Sequence, residues 1–228
     1  MSNILHEPVE TTFGGSYNRW RETRIAKLEQ MFGREWFKGK RVLELACAYG
    51  NLGLYLKTLG ADVTFADARQ EHLDIVKQKD PDARTILLDQ DTNWNLNERF
   101  DLVLHFGVLY HLSNWQQDLA ATVKHSEIVL LESAVANTSY PFNYQLPEEP
   151  EGGQNAFNGI GSLPSATSIE IELYLLGCKF KRHDDPELNT NHYKYDWIAE
   201  RNELEGIEVK SFEDAPLYGG RRFWVIET

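Results

Sequence analysis

Residues 41–53, Arg-Val-Leu-Glu-Leu-Ala-Cys-Ala-Tyr-Gly-Asn-Leu-Gly, constrain the fold more than any other part of the chain. Val42, Leu43 and Leu45 form a short apolar run that carries one acid, Glu44. The run dissolves into small residues at Ala46, Ala48, Gly50 and Gly53, and a helical apolar pattern resumes at Leu52, Leu54, Tyr55 and Leu56. A strand that turns on small residues into a helix lets a ligand come close to the backbone and meet the helix's unpaired N–H groups. This is the plan of a nucleotide-type cofactor loop in an open α/β sheet, where ligands lie across the carboxyl ends of the strands.

The sequence around this loop alternates in the same way. Residues 16–32 have helical spacing (Trp20, Ile25, Leu28, Met31) and stop at Gly33. Strands are predicted at 41–46, 62–66, 85–88, 100–105 and 127–131, with helices at 51–59, 70–79 and 114–125 between them. Continuous apolar strands alternating with helices indicate a parallel sheet covered on both faces. Further on, residues 133–164 hold several prolines and glycines and are too long for a plain connection. A helix is predicted at 165–176, with Thr167 and Glu170 at capping-box spacing and Ile169, Ile171, Leu173 and Leu176 as its apolar face. A strand at 179–182, an irregular segment at 183–218 and a final strand at 222–227 complete the pattern. One domain accounts for 228 residues; the helix at 16–33 is expected to act as a lid, and 133–164 and 183–218 as substrate-side insertions.

Composition narrows the class. The chain is 42% hydrophobic and 25% charged, with a net charge of −12. No apolar run is long enough to span a membrane, the first residues do not read as a signal peptide, and Cys47 and Cys178 read as free thiols of a cytoplasmic protein. Neither cysteine has a second soft ligand at zinc-site spacing, so no metal is expected. The acidic balance disfavours nucleic acid, which needs a positive face, and favours a small molecule or glycan.

Acids then recur at strand ends: Glu44 on the first, Asp67 on the second, Asp89 and Asp91 after the third. Asp67 is placed to take both hydroxyls of a ribose, Asp89 or Asp91 the exocyclic amine of an adenine, and Gln90 the ring. The stretches 44–53 (Glu-Leu-Ala-Cys-Ala-Tyr-Gly-Asn-Leu-Gly), 65–67 (Phe-Ala-Asp), 88–91 (Leu-Asp-Gln-Asp) and 100–112 (Phe-Asp-Leu-Val-Leu-His-Phe-Gly-Val-Leu-Tyr-His-Leu) resemble successive motifs of the class I S-adenosylmethionine-dependent methyltransferases. That resemblance covers about residues 40–135 closely. It implies a Rossmann-like, mostly parallel seven-stranded sheet with an antiparallel last strand and helices on both faces. It implies S-adenosylmethionine as cofactor, with Tyr17, Arg21, Glu44, Ala46, Gly50, Asn51, Leu52, Asp67, Ala68, Asp89, Gln90, Asp91, His105 and Phe106 as its surroundings. The family's usual loop has glycine where this chain has Ala46 and Ala48, a replacement expected to be tolerable only if φ stays negative. A dinucleotide-binding oxidoreductase fits less well, because the loop lacks GxGxxG.

A narrower likeness exists. Gly107-Val-Leu-Tyr-His111, residues 158–165 and Gly177-Cys-Lys-Phe180 resemble the tRNA wobble-uridine carboxymethyltransferases, which implies a place for Tyr110 over the reactive end of a carboxylated cofactor. The chain departs from that family at Leu112, where the family has Arg, and in its ending at 217–224; the family's long N-terminal region has no counterpart either. Loss of cationic partners argues against an extra carboxylate.

Methyl transfer needs in-line positioning and, for O–H or N–H acceptors, removal of a proton. His105, at the end of the fourth strand, Tyr110, and His192, in the aromatic segment 191–197, are the catalytic candidates. His111 reads more readily as structural. The reading is a methyltransferase for an O or N acceptor of a small molecule or glycan. The alternatives are a tRNA-modifying methyl- or carboxymethyltransferase and a non-catalytic S-adenosylmethionine-binding module.

Overall fold

A computed structural model describes residues 4–147, 153–190 and 218–228. Its centre is a seven-stranded sheet ordered β3-β2-β1-β4-β5-β9-β8. The strands are β1 (Arg41–Leu45), β2 (Asp62–Asp67), β3 (Arg84–Leu87), β4 (Phe100–Phe106), β5 (Ser126–Ala136), β8 (Lys179–His183) and β9 (Tyr218–Glu227). Strands β1 to β5 run parallel, and β9 lies antiparallel between β5 and β8. The strand order reverses direction between β1 and β4. Their carboxyl ends therefore part, and open a crevice.

Two apolar layers cover the sheet because its strands alternate. Val42, Leu102 and Leu104 face one layer with α1 (Ser16–Phe32) and α2 (Asn51–Thr58); Leu43, Leu45 and Val103 face the other, with α4 (Trp115–Lys124) and α5 (Ala166–Leu175). Helix α3 (Gln70–Lys79) joins the first layer through Leu73 and Val76. Among the described residues no helix is long and apolar enough to cross a membrane.

Three expectations are revised. Strand β5 continues past residue 131 to Ala136, and 143–164 contains a hairpin of β6 (Asn143–Pro147) and β7 (Ile160–Pro164) that no periodicity announced. The N-cap of α5 is Ser165, whose Oγ accepts from the Ser168 N–H at 3.1 Å. Thr167 donates instead to the Ser139 carbonyl, and Glu170 accepts from Arg182 and from the Trp224 indole, both at 3.1 Å. Ile169 and Leu173, one turn apart, are buried, whereas Ile171 lies two positions off that stripe and is exposed. Helix α1 spans its predicted residues, but it is more than a cover: Ile25 and Leu28 are buried in the first layer.

Candidate active site

The loop from β1 to α2 is held tightly. Glu44 is buried, and one carboxylate oxygen accepts the Gly53 N–H at 2.9 Å. A Cβ at position 53 would stand 2.5 Å from that same oxygen, so only glycine lets helix and strand close this far. The alanines behave otherwise than expected. Ala46 has φ 48° and Ala48 φ 47°, both left-handed. Left-handed backbone costs an L-residue roughly 1–2 kcal/mol, and the loop is kept there by its neighbours. The Cys47 N–H donates to the Ala66 carbonyl at 3.0 Å, the Ala48 N–H to Asp67 Oδ2 at 2.9 Å, and the Gly50 N–H to the Cys47 carbonyl at 2.8 Å.

Beneath this loop lies a cleft with two chambers that share Phe13, Ala46, Ala48, Gly107, His111 and Gln154. The first encloses about 720 Å³ including its open mouth, the second about 580 Å³, both within the usual range for small-ligand sites. The first chamber brings together Tyr17, Arg21, Glu44, Ala46, Asn51, Leu52, Phe106 and Tyr110. The second brings together Asp67, Ala68, Asp89 and Gln90.

Three expected members stand outside. Gly50 lines neither chamber. Asp91 turns to the start of α4, where it accepts the Ser113 and Asn114 N–H groups at 3.1 and 2.8 Å. His105 is fully buried, and its Nε2 donates to Asp118 Oδ2 at 2.6 Å. The pleat explains this: Leu104 and Phe106 point into the cleft, so His105 between them points to the opposite face. A place against the cofactor, as base or as packing, does not follow for it. His192 lies outside the described residues. His111, read from sequence as structural, lines both chambers.

Electrostatics separate the chambers. In the second, Asp67 takes three donors: the Ala48 N–H, the Arg69 N–H at 2.9 Å and His72 Nδ1 at 3.1 Å. Asp89 accepts the Asp91 N–H at 3.0 Å and the Asn158 amide at 3.1 Å. In the first, burial pushes the Glu44 carboxyl up from 4.5 to about 8, against the opposing pull of the Gly53 N–H, Lys79 and Arg21. Burial also raises the Tyr110 hydroxyl, against the pull of Arg221. Arg221 donates to Tyr110 Oη at 2.7 Å and to Glu132 Oε1 at 3.1 Å, and its guanidinium lies over the Tyr110 ring. A cation therefore does stand beside Tyr110, contrary to the expectation from sequence. Its place was readable in principle, because an antiparallel last strand begins at the carboxyl edge of its neighbours. Gln154 closes the front, accepting from Tyr17 Oη at 3.0 Å and donating to the Thr12 carbonyl at 2.7 Å. Helix α1 and the loop after residue 152 thus meet over the first chamber through Tyr17 and Gln154.

With the site described, the comparisons can be stated. Residues 17–180 match the model of the methyltransferase-domain family, and the chain belongs to that family. No curated protein sequence is similar enough to match. Among solved structures, the N-terminal domain of EvdMO1 with SAH bound is 16% identical, with a TM-score of 0.64 over 94% of this chain and 84% of that one. Magnesium protoporphyrin IX methyltransferase (ChlM) from Synechocystis PCC 6803 with bound SAM is 13% identical, with a TM-score of 0.61 over 99% and 88%. The glycopeptide N-methyltransferase MtfA is 15% identical, with a TM-score of 0.55 over 91% and 89%. The fold is that of the class I methyltransferases, a class whose cofactor is S-adenosylmethionine.

Two outcomes follow from the geometry. Replacing Ala46 or Ala48 by glycine relieves the left-handed strain at the cost of a freer unfolded chain, and is expected to stabilise the protein by up to about 1 kcal/mol in urea denaturation; a loss would show that the methyls pack usefully. Because Glu44 binds its proton more tightly when folded, its contribution to stability is complete below pH 4.5 and is lost as pH rises toward 8. The difference in Tm between the wild type and Glu44→Gln should therefore grow across that window, with the variant gaining; parallel curves would contradict it.

Proposed function

We propose that the chain is an S-adenosylmethionine-dependent methyltransferase acting on an oxygen or nitrogen of a small molecule or glycan. The observation that carries this reading is the joined pair of chambers, one walled by acids at strand ends and the other by aromatic rings, meeting at Gly107 and His111. The residues present fit the cofactor. A carboxylate has about four lone-pair sites, so Asp67 keeps about one beyond its three donors for a ribose hydroxyl, and Asp89 and Gln90 face the same chamber for an adenine edge. Glu44 and Arg21, in the first chamber, complement the ammonium and carboxylate of an amino acid, the cation drawing off the proton that burial otherwise leaves on Glu44. When bound, S-adenosylmethionine supplies a methyl carbon open to attack by a lone pair.

The chain's own residues do the rest. His111, at the junction of the chambers, takes the proton of an O–H or N–H acceptor. Tyr110, whose oxygen already accepts from Arg221, keeps its proton and donates it in a hydrogen bond that orients the acceptor. Tyr17, Gln154 and Phe13 close the cleft against water. Phe13, Tyr17, Trp20 and Phe106 offer flat apolar surfaces against which a sugar or another small ring can lie. Two neighbours in fold act in keeping with this: the EvdMO1 domain has been crystallised in the presence of SAH and D-fucose, and MtfA is a glycopeptide N-methyltransferase. The net charge of −12 argues against RNA as substrate.

Calorimetry with S-adenosylhomocysteine tests the cofactor assignment. Asp67→Ala is expected to weaken binding by about 1–3 kcal/mol, and an unchanged affinity removes Asp67 from the site. For the chemistry, a panel of sugars and small hydroxy and amino compounds identifies the acceptor. His111→Phe should then lower kcat by about 10²–10⁴ while leaving cofactor affinity within a few-fold; an unaltered kcat eliminates His111 as base.

A further inference from the structure

Asp118 touches neither chamber, yet it is the most heavily committed acid behind the second one. It sits on α4 and is fully buried in the layer formed by Trp94, Trp115 and Leu119. Three side chains donate to it: Gln90 Nε2 at 3.1 Å and Trp94 Nε1 at 2.8 Å to one oxygen, and His105 Nε2 at 2.6 Å to the other. Gln90 and Trp94 belong to the loop after β3, and His105 lies one residue before the end of β4. One carboxylate thus ties the loop that walls the second chamber to the strand at the chamber's edge.

A carboxylate can only accept, and this has a consequence for Gln90. An isolated glutamine amide can present its oxygen or its NH₂ to a given partner with little preference. With Asp118 as partner, Gln90 must turn its NH₂ inward, which leaves Oε1 as the amide's acceptor for the chamber that Gln90 lines. An exocyclic amine donates, whereas the carbonyl that replaces it in a deaminated purine accepts. Reversing the amide would set an amide oxygen against a buried carboxylate, an arrangement without a proton to share. His105 is oriented in the same way: facing the carboxylate it must present a proton on Nε2, and among the described residues its Nδ1 has no hydrogen-bond partner.

We infer that Asp118 is a positioning residue that fixes the Gln90 amide so that the second chamber selects an amino-purine over an oxo-purine. The inference rests on the second chamber's being the adenosine site.

The test is the ratio of affinities for S-adenosylhomocysteine and S-inosylhomocysteine, its deaminated counterpart, measured by calorimetry on the full chain. The wild type is expected to prefer the amino form by about tenfold or more. Asp118→Asn can present either an oxygen or an NH₂ to Gln90, and should reduce the preference by about fivefold or more. A variant that binds both ligands more weakly with the ratio intact shows a merely structural role and overturns the inference. If Asp118→Asn does not fold, Gln90→Leu decides: the ratio should collapse toward one, and a retained preference overturns the inference. Asp67→Ala separates the two levels. If it leaves both affinities unchanged, the location of the adenosine site has failed; if it weakens both while the Asp118 and Gln90 variants keep the ratio, only the role of Asp118 has failed.

Discussion

The first chamber, walled by Trp20, Tyr110 and Arg221, depends on one buried carboxylate, Glu132. It ends the parallel run of β5, is fully buried, and takes donors from three directions: Arg24 Nε at 2.6 Å and Trp20 Nε1 at 3.0 Å from α1, and Arg221 Nη1 at 3.1 Å from β9. Its own carbonyl receives the Gly107 N–H at 2.9 Å. Removing one partner from such a buried cluster typically costs about 3–5 kcal/mol, because the remaining charge is stranded. The α1 helix is therefore bolted to the sheet next to the cleft, and Tyr110 inherits its position through Arg221.

The second chamber is organised by the same device with different parts. Asp67 gathers the Ala48 N–H, the Arg69 N–H and His72, while Asp118 gathers Gln90, Trp94 and His105. In each case a buried acid, one at the end of β2 and the other on α4, holds the loops that form the walls. The strained alanines belong to this arrangement: the left-handed turn at 46–48 delivers the Ala48 N–H to Asp67, and the bond helps to keep the turn. The bonding that builds the cavity thus offsets the strain in its floor.

Much of this was legible in the sequence because it is carried by local patterns. Small residues after β1 and Gly60 after α2 marked the first strand and helix, and continuous apolar runs predicted a parallel sheet covered on both faces. The acids at strand ends stood out because the topology places all those ends on one edge. What was not legible depends on contacts across the chain. His105 stood beside the expected cofactor position in sequence but on the wrong side of the pleat, and only the partner Asp118, thirteen residues on, shows where it goes. Arg221 and Gln154 reach the cleft from the second half of the chain, far in sequence from the loop at 41–53. In the β6–β7 hairpin the alternation is confined to Tyr144 and Leu146, Asn158-Gly159 stands beside β7 rather than between two closely spaced strands, and β6 is largely exposed. The alanines were expected to keep negative φ, and the pull of Asp67 on the Ala48 N–H was not part of that expectation.

The central claim is that one ligand spans both chambers, with its nucleoside over Asp67 and Asp89 and its reactive end at the Gly107–His111 junction. A crystal structure with S-adenosylhomocysteine tests it directly. The account predicts a ribose hydroxyl on Asp67, the adenine beside Gln90, and the sulfur within van der Waals reach of the junction, facing Tyr110. A nucleoside bound in the Tyr110 chamber, or a ligand that leaves Asp67 without contact, would contradict it.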